Sequence, residues 1–369
     1  MKKYTNQNLI TSLNLPFVTD IHSLSMQLRL SEKLVYFLTN ERTYKKYRIF
    51  RIPKKDGTFR TISAPIASLK IVQRWVLENI FYKIKVSDYS YGFSRNRKGS
   101  PLAACAEKHK NNLFMLKMDL KNFYPSIQRD QVFFQFLNIG YNTYAANLLT
   151  NICYNQDGLP QGAVTSPYLA NMICYKMDVR IASYCNKRDI TYTRYADDLA
   201  FSSDNRDSLR NIYGMIKKIV EDEGFSVNDE KTCFMTPKNH KVLLGVTIND
   251  ANIKVPRQMK KMVRSMIHRA VITGDYSQKN VICGYVSYID SIEKGYKDKI
   301  KKYIHKYYED PITLFKDAVD AYNKNKFYED MLDMENRNID FFLDGDEWDE
   351  DEVLTAFYEE REAFLITHK

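Results

Sequence analysis

The chain has 369 residues, of which 44% are hydrophobic, a composition that predicts a folded protein with a large core. The apolar runs are short and broken by charges, which excludes a helix that spans a membrane. The first residues show no apolar signal region, and the six cysteines form no CxxC pair. We therefore expect a cytoplasmic protein with reduced thiols and no membrane partner.

The net charge of +10 is unevenly distributed along the chain. Residues 327–369 carry 15 acidic and 3 basic side chains, which leaves 52 basic and 30 acidic side chains in the residues before them. Such asymmetry predicts a body that binds a polyanion and an acidic appendage. A soluble basic protein with a solvated tail is the alternative.

The predicted elements mix helices and strands without a regular alternation. The first part holds a helix over 20–47, a β-hairpin over 47–65, a helix over 66–84, a strand that starts in 113–127 and ends at Pro125, and helices over 129–150 and 168–187. The second part holds a hairpin with strands Thr191–Tyr195 and Leu199–Ser203, a helix over 206–223, a strand after FSVNDEKTCF, a single strand in KVLLGVTIND and basic helices over 256–308. This order favours an α+β fold over a doubly wound sheet.

Two neighbouring aspartates, Asp197 and Asp198, occupy the tip of the predicted hairpin in TYTRYADDLAFSS. Such a pair is usually structural, because Asp side chains bond the nearby turn backbone. Asp119 changes this interpretation, since it follows an apolar strand in MKMDLKNFYPSI, where an unpaired buried carboxylate would be costly. If the strand lies beside the hairpin, three carboxylates converge. Carboxylate oxygens bind Mg²⁺, and two such ions about 4 Å apart support in-line phosphoryl displacement.

Two further clusters contain residue types that bind nucleotides. In LPQGAVTSPYLANM, residues 159–172, Ser166-Pro167 predicts a helix start whose N–H groups face a nucleotide or template, or else a plain loop-to-helix junction. In RIPKKDGTFR, the basic residues Lys54, Lys55 and Arg60 flank a tight turn. That arrangement suits a triphosphate clamp and equally suits a solvated hairpin tip.

Taken together, the segments MKMDLKNFYPSI, LPQGAVTSP, YTRYADDLAF, NDEKT and LLG resemble motifs A to E of the reverse transcriptases, in that family's order, over about residues 47 to 250. The resemblance implies a right-hand polymerase with fingers, a palm with an antiparallel sheet, and a helical thumb. The expected division is N-terminal helices and fingers over 1–113, palm with interleaved fingers helices over 114–250, basic helical thumb over 251–309 and acidic C-terminal extension over 310–369.

The resemblance also implies roles for the carboxylates. Asp119 and Asp197 would hold two Mg²⁺ or Mn²⁺ ions, Asp198 would be more peripheral, and the carbonyl of Leu120 would complete a metal shell. Lys231, in NDEKT, matches the lysine that protonates pyrophosphate.

Around the carboxylates, the same resemblance implies residues that contact the incoming dNTP and the primer. Tyr124 would pack under the deoxyribose and exclude a 2′-hydroxyl, unless it is only a core residue. Gln161 would lie near the nucleotide and template, and Lys55 and Arg60 would grip the triphosphate. The primer end would be flanked by Tyr195 and held by a primer grip made of Leu243, Leu244 and Gly245.

Among reverse transcriptases, the chain resembles the compact bacterial enzymes of retrons. Retron enzymes usually carry Asn-Ala-x-x-His before motif A and Val-Thr-Gly in motif E, where this chain has Cys105-Ala106-Glu107-Lys108-His109 and Leu243-Leu244-Gly245. These departures fit a divergent retron enzyme or a related defence-associated reverse transcriptase. A retron enzyme would make msDNA from a cognate structured non-coding RNA and act in anti-phage defence. The alternatives are a template-poor or protein-primed polymerase, and a silent RNA-binding regulator.

Residues 254–306 carry 13 basic and 4 acidic side chains on helices with apolar faces. Such helices are often only a soluble surface, but in a polymerase this position is the thumb, which tracks the backbone of the template–primer duplex. The resemblance to retron enzymes implies that the thumb also recognises a structured RNA, largely by shape. We expect the backbone contacts to come from Lys260, Lys261, Arg264, Lys299 and Lys302.

The acidic tail ends in FFLDGDEWDEDEVLTAFYEEREAFLITHK, in which 353–366 has the pattern of an amphipathic helix. This helix is either solvated, or a docking element for an effector protein, or a clamp on the basic thumb.

Overall fold

The computed structural model describes residues 4–40, 46–54, 57–94, 99–249 and 251–307. Lys55 and the acidic extension, for which docking was predicted, lie outside these ranges. The described chain mixes helices with three antiparallel sheets, as expected for an α+β fold.

Three short helices open the chain: α1 (Gln7–Ser12), α2 (Ile21–Leu28) and α3 (Glu32–Thr39). The single helix predicted over 20–47 is wrong. Arg29 adopts a left-handed conformation with φ of 56°, which ends α2, and the Ser31 side chain caps α3. The apolar spacing continues across this break, because both helices bury their apolar faces in one core.

The predicted hairpin forms from β1 (Tyr47–Pro53) and β2 (Phe59–Pro65), with Tyr47 opposite Pro65. Its base contacts the loop before Ser166, where the Ser63 N–H donates to the carbonyl of Gln161 over 2.8 Å. Gly162 makes this approach possible, since a Cβ there would lie 2.9 Å from the Ser63 carbonyl oxygen.

Most of the main core is built by helices. They are α4 (Ala67–Asn79), α6 (Phe123–Ser126), α7 (Arg129–Ile139), α8 (Thr143–Cys153), α9 (Ser166–Ile173), α10 (Tyr175–Asn186), α11 (Arg206–Asn211) and α12 (Tyr213–Asp222). The helix α5 (Pro101–His109) buries Cys105 and Ala106 outside this core. Three predicted helices are therefore each two helices, with breaks at Gly140, Cys174 and Ile212. The predicted proline start of α9 is confirmed.

The central sheet has the strand order β4-β5-β3-β6, formed by β3 (Phe114–Asp119), β4 (Thr191–Tyr195), β5 (Asp198–Ser203) and β6 (Cys233–Met235). β3 ends at Asp119 rather than at Pro125, because Asn122 is left-handed, with φ of 48°, and leads into α6. Alternate side chains of β3 pack into two different cores on the two faces of the sheet. Leu116 and Met118 lie in the main core, and Met115 lies in a smaller core that is built mostly from residues between 243 and 304.

The segment KVLLGVTIND was predicted as one strand and is instead a hairpin. β7 (Val242–Leu243) turns at Leu244 and Gly245, whose φ values are 53° and 78°, and returns as β8 (Val246–Asn249), which pairs with β9 (Asn252–Lys254). The sequence pattern did not reveal this turn, because apolar residues stand on both sides of Gly245.

The region predicted to be helical over 256–308 forms three helices in the described chain: α13 (Arg257–Thr273), α14 (Lys279–Ile292) and α15 (Tyr296–Tyr307). They pack through apolar residues such as Val263, Val286 and Ile300. Among the helices of the described ranges, none is long and apolar enough to cross a membrane.

Candidate active site

The β4–β5 hairpin brings its two aspartates against the end of β3. Asp119 is paired with Asp198 in the antiparallel register, and the Leu120 N–H donates to the carbonyl of Asp197 over 2.9 Å. Ala196 forms the tip with φ of 54°. The convergence expected of the three carboxylates is therefore present, although Asp119 lies far from the hairpin in sequence.

Each carboxylate of this cluster makes it harder for its neighbours to ionise. Burial raises the pKa of Asp197, and the neighbouring negative charge of Asp119 raises it further. Burial also raises the pKa of Asp198, while the ammonium of Lys117 lowers it. A site in which burial and like charges both oppose ionisation gains stability when a cation binds.

Lys231 supplies one positive charge to the cluster. Its ammonium donates to the Asp119 carboxylate, with Nζ 3.1 Å from Oδ1 and 3.3 Å from Oδ2. This hydrogen bond, together with the charge of Asp119, raises the pKa of Lys231. The Asn228 N–H donates to the carbonyl of Asp119 over 2.8 Å, which anchors the turn that carries Lys231 beside β3.

The donor chemistry of the cluster fits a hard divalent cation. Asp119, Asp197 and Asp198 offer carboxylate oxygens, the ligand type that Mg²⁺ and Mn²⁺ take. Within the described ranges, no three His, Cys, Asp or Glu side chains are already arranged as a metal-binding group. Because the Lys231 ammonium bonds both oxygens of the Asp119 carboxylate, a cation at this carboxylate would compete with it.

Tyr124 lies beside the carboxylates. Burial raises the pKa of its phenol, and the charge of Asp197 adds to the shift, so the group stays protonated at neutral pH. Its carbonyl accepts a hydrogen bond from the Leu159 N–H over 3.1 Å, which links α6 to the loop that carries Gln161. Tyr124 and the Gln161 loop are therefore held together.

Arg60 is exposed on β2, and its charge lowers the pKa of Asp197. The backbone bond between Ser63 and Gln161 holds the base of this hairpin near the site. The side chain of Gln161 is half-buried.

Residues expected to hold the primer share the smaller core. Leu243 is buried in it, Leu244 and Tyr195 pack against it, and Gly245 completes the left-handed turn. The ring of Tyr195 also contacts Phe93, with 6.0 Å between the ring centroids. The turn of the β7–β8 hairpin and the YADD hairpin thus meet on one apolar cluster.

The five basic residues expected on the thumb differ in their surroundings. Lys260 donates to Glu293, with Nζ 2.7 Å and 2.9 Å from the carboxylate oxygens, so its charge is already neutralised. The Arg264 guanidinium lies 5.6 Å from the ring centroid of Tyr303. Lys261, Lys299 and Lys302 are exposed.

Sequence reasoning missed Lys117 and Arg194. Lys117 precedes Asp119 by two residues, so strand alternation puts both on one face of β3, and its charge acts on Asp198. Arg194 is fully buried between the β-favouring residues of TRYADD. In both cases the signal was a charged residue inside a predicted strand.

The segment CAEKH packs on the sheet face that carries the carboxylates. His109 Nδ1 lies 2.6 Å from the Ser202 hydroxyl, and its Nε2 lies 2.7 Å from that of Thr193. The Cys105 sulfur lies 3.2 Å from the same Thr193 hydroxyl. The cysteine that replaces asparagine in this motif therefore contacts β4.

Comparison with known proteins agrees with this geometry. Residues 52–248 match the family described as "Reverse transcriptase (RNA-dependent DNA polymerase)". The retron Ec86 reverse transcriptase of Escherichia coli is 33% identical over 306 residues, which cover 82% of this chain and 94% of that protein. The retron Mx65 reverse transcriptase of Myxococcus xanthus is 29% identical over 69% of this chain and 64% of its own length.

The apo telomerase of Candida tropicalis shares the fold. It superposes with a TM-score of 0.50 at 13% identity, over 70% of this chain and 57% of the telomerase. The mixed helix and sheet architecture is that of a right-hand polymerase. The chain belongs to the reverse transcriptases, and within them to the bacterial retron type, so it is an RNA-directed DNA polymerase.

Proposed function

We propose that this enzyme is a retron reverse transcriptase that copies part of a cognate structured non-coding RNA into msDNA. The observation that carries the proposal is the pairing of Asp119 with Asp198, beside the bond from Leu120 to Asp197, in a chain whose relatives are named retron reverse transcriptases. We extend the proposal to a cytoplasmic role in anti-phage defence.

The carboxylates suit two-metal nucleotidyl transfer. Asp119 and Asp197 would hold two Mg²⁺ ions, with the Leu120 carbonyl as a further ligand and Asp198 at the periphery. When bound, the ions would make the primer 3′-hydroxyl more acidic and neutralise charge on the triphosphate and the leaving pyrophosphate.

The chain's own groups would orient the dNTP and move a proton. The Lys231 ammonium is protonated at neutral pH and would donate a proton to the departing pyrophosphate. Arg60, with Lys55 beside it in sequence, would grip the triphosphate. The Tyr124 ring would exclude a 2′-hydroxyl, and Gln161 would contact the nucleotide and template strand.

The primer and duplex would lie along the smaller core. Tyr195 and the turn Leu243–Gly245 would support the primer end. Lys261, Arg264, Lys299 and Lys302 would contact the sugar–phosphate backbone, with Lys260 contributing least because Glu293 neutralises it. The acidic extension over 310–369 is proposed as the docking element for an effector protein.

An RNase-controlled incorporation assay tests the proposal. Purified enzyme, with the nucleic acid that co-purifies with it, is expected to incorporate dNTPs in a reaction that RNase pretreatment abolishes. Sequencing of the product is expected to show a single structured RNA as its template. Incorporation that survives RNase would instead favour the template-poor or protein-primed alternative.

The matched control is Asp197→Asn, which removes one metal-binding carboxylate at nearly constant volume. Synthesis is expected to disappear while RNA binding stays close to that of the unchanged protein. If the wild-type protein binds RNA but incorporates no dNTP, the alternative of a silent RNA-binding regulator would be favoured.

A further inference from the structure

The backbone at the tip of the catalytic hairpin is unusual for the residue that forms it. Ala196, directly before Asp197, has φ of 54°, in the left-handed region that favours glycine. A residue with a Cβ stays in that conformation only when its surroundings hold it there. The tip should therefore have a dedicated anchor.

Arg194 provides that anchor from inside the protein. Its side chain is 0% exposed, and its Nη1 donates to the Ala196 carbonyl over 3.1 Å. The same Nη1 donates to the Asn171 side-chain oxygen over 3.0 Å. Nε and Nη2 donate to the two oxygens of Asp178 over 2.8 and 2.7 Å. This bidentate pair fixes the plane of the guanidinium, and with it the direction of the bond to Ala196.

Asp178 and Asn171 are themselves held. Asp178, on α10, also accepts a hydrogen bond from the Tyr192 hydroxyl over 2.8 Å. Asn171, on α9, donates to the Gly92 carbonyl over 2.8 Å and bonds the Ser90 hydroxyl. Through Arg194, the hairpin tip is therefore held in place relative to α9, α10 and the segment around Gly92.

The two peptide groups that flank Asp197 are consequently both fixed. Arg194 binds the carbonyl of Ala196 on one side, and the Leu120 N–H binds the carbonyl of Asp197 on the other. We infer that Arg194 is a positioning residue for the Asp197 carboxylate, acting through the left-handed tip at Ala196. This inference rests on the catalytic role proposed for Asp197.

The first test is Arg194→Lys, because lysine can bond Asp178 but cannot reach Asp178, Asn171 and the Ala196 carbonyl together. The kcat for dNTP incorporation is expected to fall by about 10-fold to 100-fold, the size of effect that a displaced catalytic group causes. The KM for dNTP and the Kd for template–primer are expected to change by less than about twofold. Amide hydrogen exchange over 191–203 should become faster at the tip.

A second variant covers the case in which a single substitution prevents folding. The double change Asp178→Leu with Arg194→Met removes the buried ion pair as a unit, an exchange that proteins often tolerate. Its folded fraction is read from thermal unfolding, and its kcat per folded molecule is expected to be as low as that of Arg194→Lys. Arg180→Ala is the matched control, since Arg180 pairs with Asp222 and Glu223 on the surface and should leave kcat unchanged.

The outcomes separate this inference from the proposed function. Folded Arg194→Lys with wild-type kcat would overturn the positioning role, as would a loss of activity that only follows the folded fraction. If neither variant folds, Arg194 is a folding residue and the inference is wrong. Asp197→Asn, measured in parallel, reports on the site itself: retained synthesis there would remove the proposed catalyst, whatever Arg194 does.

Discussion

The ammonium of Lys231 bonds the carboxylate of Asp119, one of the proposed catalytic carboxylates. Lys231→Ala removes the ammonium that bonds Asp119 and the proton proposed for pyrophosphate. Loss of a general acid typically lowers the rate by a factor of about 100 or more, so kcat is expected to fall by that order. Single-turnover incorporation measures it.

Lys231→Arg is the control for charge alone. It keeps a cation beside Asp119 but cannot release a proton at neutral pH. A kcat equal to the wild-type value in Lys231→Arg would show that the residue acts as a fixed charge and not as an acid.

Tyr124 is predicted to discriminate against ribonucleotides. In Tyr124→Ala the ring that would meet a 2′-hydroxyl is absent, so the ratio of kcat/KM for dNTP over NTP is expected to fall by about 10-fold to 100-fold. Tyr124→Phe keeps the ring and should keep the ratio. Equal selectivity in the alanine and phenylalanine variants would leave Tyr124 as a core residue only.

At the residue scale, the sequence indicated which residues belong to the candidate site better than it indicated which residues they contact. The aspartates, Lys231 and Tyr124 could be proposed as site residues because their motifs occur in a fixed order. The partners of Arg194 could not be found, because Asp178 and Asn171 lie on helices whose orientation toward β4 depends on the tertiary fold.

Among the elements, α5 gives a pH-dependent contribution to stability through His109. Burial lowers the pKa of this imidazole to about 3. In the unfolded chain the group has an ordinary pKa of about 6.5 and takes up a proton below that pH, while the folded protein does not. Stability is therefore expected to fall as the pH drops from 6.5 towards 3, by up to about 1.4 kcal/mol per pH unit.

The comparison of wild type with His109→Gln isolates this effect from that of the carboxylates. Denaturant unfolding at pH 7.5 and at pH 5 should show a smaller loss of stability in the variant than in the wild type, even if the variant is less stable at pH 7.5. Identical pH dependence of the two proteins would mean that His109 titrates normally in the folded state.

Element types could largely be predicted, and element ends could not. The 3.6-residue apolar spacing runs through the breaks at Arg29, Gly140 and Ile212, because consecutive helices bury their faces in the same core. The hairpin at Leu244 was missed for a related reason: Gly245 marks the turn, but the apolar Leu244 occupies its first left-handed position and apolar residues stand on both sides.

On the scale of the whole molecule, we predict that the basic helices α13 to α15 bind template–primer in a salt-dependent manner. Lys299→Ala with Lys302→Ala is expected to reduce the slope of log Kd against log salt concentration by about one for each phosphate that the variant no longer neutralises. Titration between low and physiological salt measures the slope.

Lys260→Ala is the matched variant for this measurement, because Glu293 already neutralises the charge of Lys260. It should leave the salt slope nearly unchanged and instead loosen the packing of α13 against the end of α14. If the slope is unchanged in the variant that lacks both Lys299 and Lys302, the duplex does not contact these two lysines.

The alternation along β3 ties catalysis to folding. Its even-numbered residues Leu116 and Met118 fill the main core, and its odd-numbered residues run from Met115 in the smaller core through Lys117 to Asp119. A slip of one position in this strand would turn the carboxylate inward and push methionine and leucine out. If Asp119 is catalytic as proposed, substitutions within this strand can be tolerated, whereas a one-residue insertion or deletion is expected to abolish both the packing and the activity.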